Sequence, residues 1–243
     1  MGELIAVLSG KGGTGKTSVC AGLATALAAS GRRVLCIDCD VGLRNLDISL
    51  GLADTASLSF LEVCRGDYPL TQASVHPQYP SLAFLTAPMN CAIDFIDTAS
   101  FGALVFEARK VYDYILLDAP AGVDAGFRLT AAFADRCIIV TGPGPAAVRD
   151  AERTGQLLEL MGKTNVRLIV NRVDKKMVSA MDITIDDVMD SAGLPLLGVV
   201  PEDLNVTLAA AVGQPLLKYR PRCAAAKACR RIANRIQGLP EPL

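Results

Sequence analysis

The stretch Ser9-Gly10-Lys11-Gly12-Gly13-Thr14-Gly15-Lys16-Thr17-Ser18 limits what this chain can fold into more than any other segment. From Gly10 it follows G-x-x-x-x-G-K-[ST], the pattern of a phosphate-binding loop. Before it, Leu4-Ile5-Ala6-Val7-Leu8 is a short apolar run of the kind that forms a buried parallel strand. After it, Thr17 to Ser30 is rich in alanine and leucine and is followed by Gly31, which predicts a helix with a glycine C-cap.

The residue types explain the chemistry. Gly12, Gly13 and Gly15 let the backbone turn so tightly that several N–H groups point inward at phosphate oxygens. The helix that follows adds the positive end of its dipole. Lys16 is placed to reach the outer phosphates and the Thr17 hydroxyl to ligate Mg²⁺. Gly10, Thr14 and Ser18 complete the expected nucleotide cradle. Lys11 is an addition to the plain pattern: a second lysine beside Lys16 carries a like-charge cost unless a polyanion lies between them.

Composition narrows the class. A chain of 243 residues can bury a sizeable core, and 51% hydrophobic content without tryptophan suits a helix-wrapped parallel sheet better than a β sandwich. A net charge of −1 argues against a globally basic nucleic-acid binder. The first residues lack the pattern of a signal peptide and no apolar run reaches the length of a spanning helix, so a cytoplasmic location is expected. The eight cysteines are scattered, as suits a reducing compartment. Cys36-Ile37-Asp38-Cys39 is formally C-x-x-C, but on a strand residues three apart face opposite ways, so both are expected in the core. His76, the only histidine, is expected in a solvated loop.

Further on, Arg33 to Asp38 predicts a second buried strand ending in Asp38-Cys39-Asp40-Val41-Gly42-Leu43-Arg44-Asn45-Leu46-Asp47. Acids at the carboxyl ends of such strands face the ligand, so Asp38 and Asp40 are candidates to aim at Mg²⁺ and the attacking water. Ser59 to Arg65 predicts a short helix, Ser81 to Leu85 a strand, and the proline-marked segment between them a loop. Asp94 to Lys110 predicts a helix. An apolar strand ends in Asp118, a Walker B arrangement whose carboxylate holds Mg²⁺, and Gly122 brings a backbone N–H toward the γ-phosphate. Strands are also expected at Arg136–Val140 and Val166–Val170, with a charged helix from Ala146 to Leu160.

Lys11 to Thr17, as K-G-G-x-G-K-[ST], resembles the deviant P-loop ATPases of the MinD/ParA family, which also takes in the nitrogenase iron protein. The segments Asp38 to Asp47 and Asp118-Ala119-Pro120-Ala121-Gly122 are similar to the two switches of the MinD branch. The resemblance runs along nearly the whole chain, to about Gly238. It implies ATP and Mg²⁺ as ligands, and a homodimer formed on ATP binding in which Lys11 reaches the partner's nucleotide. It further implies that Asp40 positions the hydrolytic water, that Asn171 reads the adenine edge with Arg172 beside it among the nucleotide-binding residues, and that Pro201 and Asp203 flank the base. For Asp203 a helix N-cap satisfies the residues equally well. Asp124 departs from the usual glutamate of the family.

From Leu204 to Pro240 there is no acidic residue, while Lys218, Arg220, Arg222, Lys227, Arg230, Arg231 and Arg235 accumulate. Ala225, Ala228, Ile232 and Ile236 give the last helix, Arg222 to Ile236, a small apolar stripe. Docking onto the domain is the favoured reading, with a membrane-surface or DNA-binding face as the alternatives. Family members usually continue into a bulky amphipathic membrane-targeting helix where this sequence stops. Either that helix is absent, the basic helix replaces it, or a partner supplies the contact.

These readings converge on one doubly wound α/β domain over residues 1–243, mainly parallel with helices on both faces. The expected activity is Mg²⁺-dependent ATP hydrolysis. By resemblance its output is placement of the cell-division site through MinC-like and MinE-like partners, peripheral at the inner face of the membrane. A ParA-like partition ATPase binding DNA, an iron–sulfur ATPase using Cys91, and a biotin-pathway type ligase are the alternatives.

Overall fold

The computed structural model describes residues 1–89 and 96–241; Cys91 and the predicted helix start at Asp94 lie outside the described residues. The strands are β1 (Glu3–Leu8), β2 (Val34–Asp38), β3 (Ser74–His76), β4 (Tyr79–Leu85), β5 (Tyr114–Asp118), β6 (Arg136–Thr141), β7 (Val166–Val173) and β8 (Leu196–Pro201). They form one eight-stranded sheet in the order β3-β4-β2-β5-β1-β6-β7-β8. Every pairing is parallel except β3 with β4 at the edge. From β1 the chain builds outward on one side to β2 and later returns to build β6 on the other. The end of β1 therefore stands at a switch point, where an open sheet leaves a crevice.

The helices are α1 (Lys16–Ala29), α2 (Leu46–Leu50), α3 (Phe60–Cys64), α4 (Thr98–Val111), α5 (Ala125–Phe133) and α6 (Pro145–Leu160). They continue as α7 (Lys175–Ala180), α8 (Ile185–Ala192), α9 (Leu204–Ala211), α10 (Leu216–Tyr219) and α11 (Ala224–Ile236). Alternation along β1 sorts the core. Ile5 and Val7 join α1 and α11 on one face, Leu4 joins the α4 side of the other, and Ala6 and Leu8 pack toward α5 and α6. Cys36 and Cys39 fall in clusters on opposite faces, both fully buried, as strand periodicity requires.

Several boundaries move for identifiable reasons. Helix α4 starts at Thr98 because the Asp97 carboxylate accepts from the N–H groups of Ala99 and Ser100. Ser59 and Glu62 form a reciprocal capping box that starts α3 one residue later than expected. The segment expected as a loop holds a 3₁₀ turn, Leu70–Gln72, and strand β3. His76 is accordingly not solvated but 1% exposed, with Nε2 2.8 Å from the Leu50 carbonyl. Its Nδ1 accepts from the Gln78 N–H at 3.1 Å, which makes the ring neutral with Nε2–H donating.

Helix α11 docks on α1 and β8. A Cβ placed on Gly22 would stand 2.6 Å from Cys229 Sγ, and one on Gly198 2.5 Å from Ile232, so both glycines permit this close approach. Ala225, Ala228, Ile232 and Ile236 are all buried there. The stripe docks onto the domain, the favoured reading, and is not free to serve as a membrane or DNA face, because alanine and isoleucine match the smooth backs of α1 and β8.

Candidate functional site

The loop after β1 is shaped by two left-handed glycines, Gly13 with φ +80° and Gly15 with φ +82°. Gly15 is closed to any side chain a second way, since its Cβ would lie 2.3 Å from Asn171 Nδ2. As the N-cap of α1 it has no side-chain acceptor to offer, which leaves the first N–H groups of a 14-residue helix directed at the loop. Lys11 reaches toward α6. It is 45% exposed and lies 3.8 Å from Asp150 on α6, a loose contact easily exchanged.

Beneath the loop, Lys16 Nζ donates to Asp118 Oδ1 at 2.6 Å, with both side chains buried, and lies 3.5 Å from Thr17 Oγ1. Burial pulls the Lys16 ammonium down, but the Asp118 charge and hydrogen bond outweigh this and hold its pKa above the ordinary value. Three buried polar atoms here have no hydrogen-bond partner among the described residues: Ser9 Oγ, Thr14 Oγ1 and Asp118 Oδ2. Buried groups of this kind are costly unless a ligand satisfies them. Their positions on the loop and at the tip of β5 fit a polyphosphate with a hydrated divalent cation. Thr17 and Asp118 could hold that cation.

The two acids of the first switch differ. Asp38, opposite Asp118 in the sheet register, is fully buried and accepts from the N–H groups of Asp40 at 2.9 Å and Leu46 at 3.2 Å. It therefore ties down both ends of the switch instead of pointing into the crevice. Burial, followed by the charge of Asp118, pushes its pKa up to about 7. Asp40 is half-buried and remains the acid facing outward. Burial raises its pKa, with Lys16 opposing. Asp47 is buried, paired with Arg44 at 3.6 Å, and belongs to the scaffold. In the second switch Gly122, with φ +93°, donates its N–H to the Ser9 carbonyl at 3.0 Å. Asp124 is the N-cap of α5 without a side-chain bond.

Beyond Gly15 a cavity of about 170 Å³ opens between Ser18, Val19, Asn171, Arg172, Pro201, Asp203, Val206 and Cys229. Its walls are partly apolar, as suits a flat base. Asn171 Nδ2 donates one hydrogen to the Thr14 carbonyl at 2.8 Å, which leaves its second N–H and Oδ1 for a base. Arg172 also borders the cavity. Held at φ +58°, it donates from Nε to Glu202 Oε2 at 2.9 Å and from Nη1 to the Gly13 carbonyl at 3.3 Å, strapping the loop to β8. Asp203 lines the cavity while its oxygens are engaged elsewhere. Oδ1 caps α9 through Asn205, and Oδ2 accepts from the Ala225 N–H at 3.1 Å. The N-cap reading holds for its carboxylate. Ser9 and Glu202 are the site residues to which motif reading gave no role, and Asp38 is the one to which it gave a different role. Their neighbours in sequence gave the only signal.

Comparison with known proteins agrees with this geometry. The family model of the CobQ/CobB/MinD/ParA nucleotide binding domain matches residues 5–216. The septum site-determining protein MinD of Synechocystis sp. is 38% identical over 244 residues, covering 100% of this chain and 92% of that protein. The MinD of an Aquifex aeolicus MinC:MinD complex superposes with TM-score 0.92 at 36% identity, covering 99% of this chain and 98% of that one. A Pyrococcus horikoshii MinD complexed with Mg-ADP gives TM-score 0.86 at 31% identity, covering 97% and 96%.

Proposed function

The chain belongs to the MinD branch of the CobQ/CobB/MinD/ParA nucleotide-binding family, and from that premise we propose that it is an ATP-driven switch that regulates placement of the division site. The observation that carries the reading is the set of buried, unpartnered oxygens of Ser9, Thr14 and Asp118 on the loop and at the tip of β5, together with the Lys16 ammonium bound to Asp118. A site built this way favours a polyanion with its metal over water.

In the proposed reaction water attacks the γ-phosphorus of ATP, the bond to the β-phosphate oxygen breaks, and ADP and phosphate leave. The loop amides and Lys16 hold the phosphates. Mg²⁺, held by Thr17 and Asp118 with Asp40 nearby, would neutralise phosphate charge. Asp40 orients the attacking water, and Asp38 positions Asp40 through its backbone. Gly122 exchanges the Ser9 carbonyl for the γ-phosphate and returns after hydrolysis, which gives the second switch two states.

Lys11 completes the partner subunit's site. Its loose contact with Asp150 supports this, because little is lost on leaving it. A cation arriving in trans makes turnover depend on assembly. The proposed unit spans residues 1–243. It acts as an ATP-bound homodimer that recruits MinC-like and MinE-like proteins. The ParA-like alternative is not favoured, since MinD proteins are 36–38% identical over nearly the whole chain, whereas the ParA-family structures match at 24% or less.

Equilibrium sedimentation with Mg-ATP and Mg-ADP tests the reading. The expected outcome is a dimer with ATP and a monomer with ADP. Lys11→Ala with undiminished dimer and turnover would sink it.

A further inference from the structure

We propose that the turn between α9 and α10, Val212 to Pro215, is a positioning element for the first switch, through which a base in the cavity sets the placement of Asp40. Helix α2 continues that switch and is gripped at both ends. At its start the Leu46 N–H donates to Asp38 Oδ2 at 3.2 Å, and Asp38 Oδ1 accepts from the Asp40 N–H at 2.9 Å. At its end the Leu50 carbonyl accepts from His76 Nε2 at 2.8 Å, and Gly51, with φ +70°, is the C-cap.

The turn sits directly on that cap. A Cβ built on Gly51 would stand 2.7 Å from the Gly213 carbonyl oxygen, 3.0 Å from Pro215 Cδ and 3.1 Å from Gln214 Cα. Backbone therefore meets backbone with only the proline ring beside it. A close-packed contact of this kind passes on a displacement that a flexible side chain would absorb. The turn is also fastened to both of its helices. Gly213 and Gln214 donate to the Ala210 and Ala209 carbonyls of α9 at 3.1 Å and 3.0 Å. The Pro215 carbonyl accepts from the Lys218 and Tyr219 N–H groups of α10, each at 2.9 Å. Those two helices supply Val206, Thr207 and Leu216 to the wall of the base cavity.

The two ends of a nucleotide thus reach Asp40 by separate routes. Phosphates act through the loop, Lys16 and Asp118, whereas a base acts through α9, the turn and α2. The His76 bond makes the second route effective. With Leu50 held from the β3 side, a push on Gly51 travels along the short α2 to Leu46 and Asp38 instead of swinging the helix aside. On the nucleotide-binding reading above, on which this coupling rests, the base contributes to turnover as well as to affinity. A ligand biases a distant group only by the difference in its affinity for two arrangements of the linking element. Phosphate ligands with and without a base should therefore protect α2 to different extents.

Hydrogen exchange of the Leu46–Leu50 amides in the full chain, with saturating Mg-ADP or Mg-pyrophosphate, is the test. Neither ligand carries a γ-phosphate, so on the proposed cycle the comparison is made on monomers. In the wild type ADP should slow exchange about fivefold or more beyond pyrophosphate. Gly51→Ala wedges a methyl against the Gly213 carbonyl and should bring that ratio below about twofold while ADP still binds. Gly213→Ala is the control. Its φ of +63° imposes the same left-handed strain, but its Cβ meets nothing within 4 Å among the described residues, so the ratio should hold. Pro215→Gly loosens the turn without a wedge, should lower the ratio as well, and decides the matter if Gly51→Ala does not fold. In turnover Gly51→Ala should lower kcat for ATP by about fivefold or more, with KM changed by less than about twofold. Equal protection by the two ligands in the wild type, or a full ratio in both Gly51→Ala and Pro215→Gly, would overturn the proposal. So would a ratio lost equally in Gly213→Ala, which would leave the contact with a role in general stability alone. Base-dependent protection in a protein that hydrolyses no ATP would refute the proposed cycle and leave this coupling standing.

Discussion

Replacing Lys16 by methionine isolates the electrostatics of the site without nucleotide. The wild-type ammonium sits 2.6 Å from Asp118 Oδ1, at 6% and 1% side-chain exposure. Methionine keeps the stem and removes the charge, so Asp118 faces a buried site with Oδ1 newly unpaired and Oδ2 already without a partner. Asp38 stands beside it in register and already resists ionisation through burial and the Asp118 charge. Removing one member of a buried pair costs about 3–5 kcal/mol, because the other charge is left uncompensated. For a chain of this size that corresponds to a fall of about 10 °C or more in Tm. The loss should be larger at pH 8 than at pH 6, where Asp38, with its pKa pushed up to about 7, takes a proton and no longer repels the Asp118 carboxylate. Lys16→Met/Asp118→Leu should recover much of the stability, since an uncharged pair of similar volume removes the buried charge. Urea unfolding of the nucleotide-free single and double variants measures the cycle. A loss under about 1 kcal/mol for Lys16→Met, with no coupling to Asp118, would refute the argument.

Other perturbations follow the same geometry. Gly15→Ala meets both a left-handed φ of +82° and Asn171 Nδ2 at 2.3 Å. A fluorescent ATP analogue should show nucleotide binding lost in a protein that still has a folded sheet by circular dichroism. Gly22→Ala drives a methyl to 2.6 Å from Cys229 Sγ. It should destabilise the protein by about 1–3 kcal/mol in urea, with Cys229→Ala restoring most of that. Arg172→Gly relieves the left-handed backbone and removes the strap to Gly13 and Glu202. KM for ATP should therefore rise several-fold while Tm holds steady or improves, and Arg172→Lys should not restore KM. Burial lowers the His76 pKa, with the Leu50 carbonyl opposing. Its contribution to stability is therefore complete above the unfolded value near 6.5 and is lost as pH falls through the lower folded value. Urea midpoints between pH 7.5 and 5 should show that slope, and His76→Gln should flatten it.

What could be read from the sequence depended on how local the cause was. The loop, Asp118 and the strand alternation that separates Cys36 from Cys39 are determined within a few residues. His76 was misread because three prolines nearby signal a loop, while an edge strand needs only one partner and tolerates prolines at its ends. Asn171 and Arg172 sit where expected, but their donors turn to Thr14 and Gly13, contacts that span more than 150 residues and leave no trace in spacing. Asp38 and Asp40 look alike in sequence. Only the direction of the Leu46 N–H shows that Asp38 is the tether. The stripe on α11 was legible, but its destination against α1 and β8 depended on two distant glycines.

The central claim, that turnover requires a lysine from the partner, is tested most directly by mixing Lys11→Ala with Asp40→Ala under Mg-ATP. Each variant alone should hydrolyse little. In a mixed dimer the Lys11→Ala subunit keeps its own Asp40 and receives Lys11 from its partner, so one complete site forms and hydrolysis returns. A mixture that stays inactive while forming dimers, or a Lys11→Ala protein that turns over normally by itself, would contradict the account.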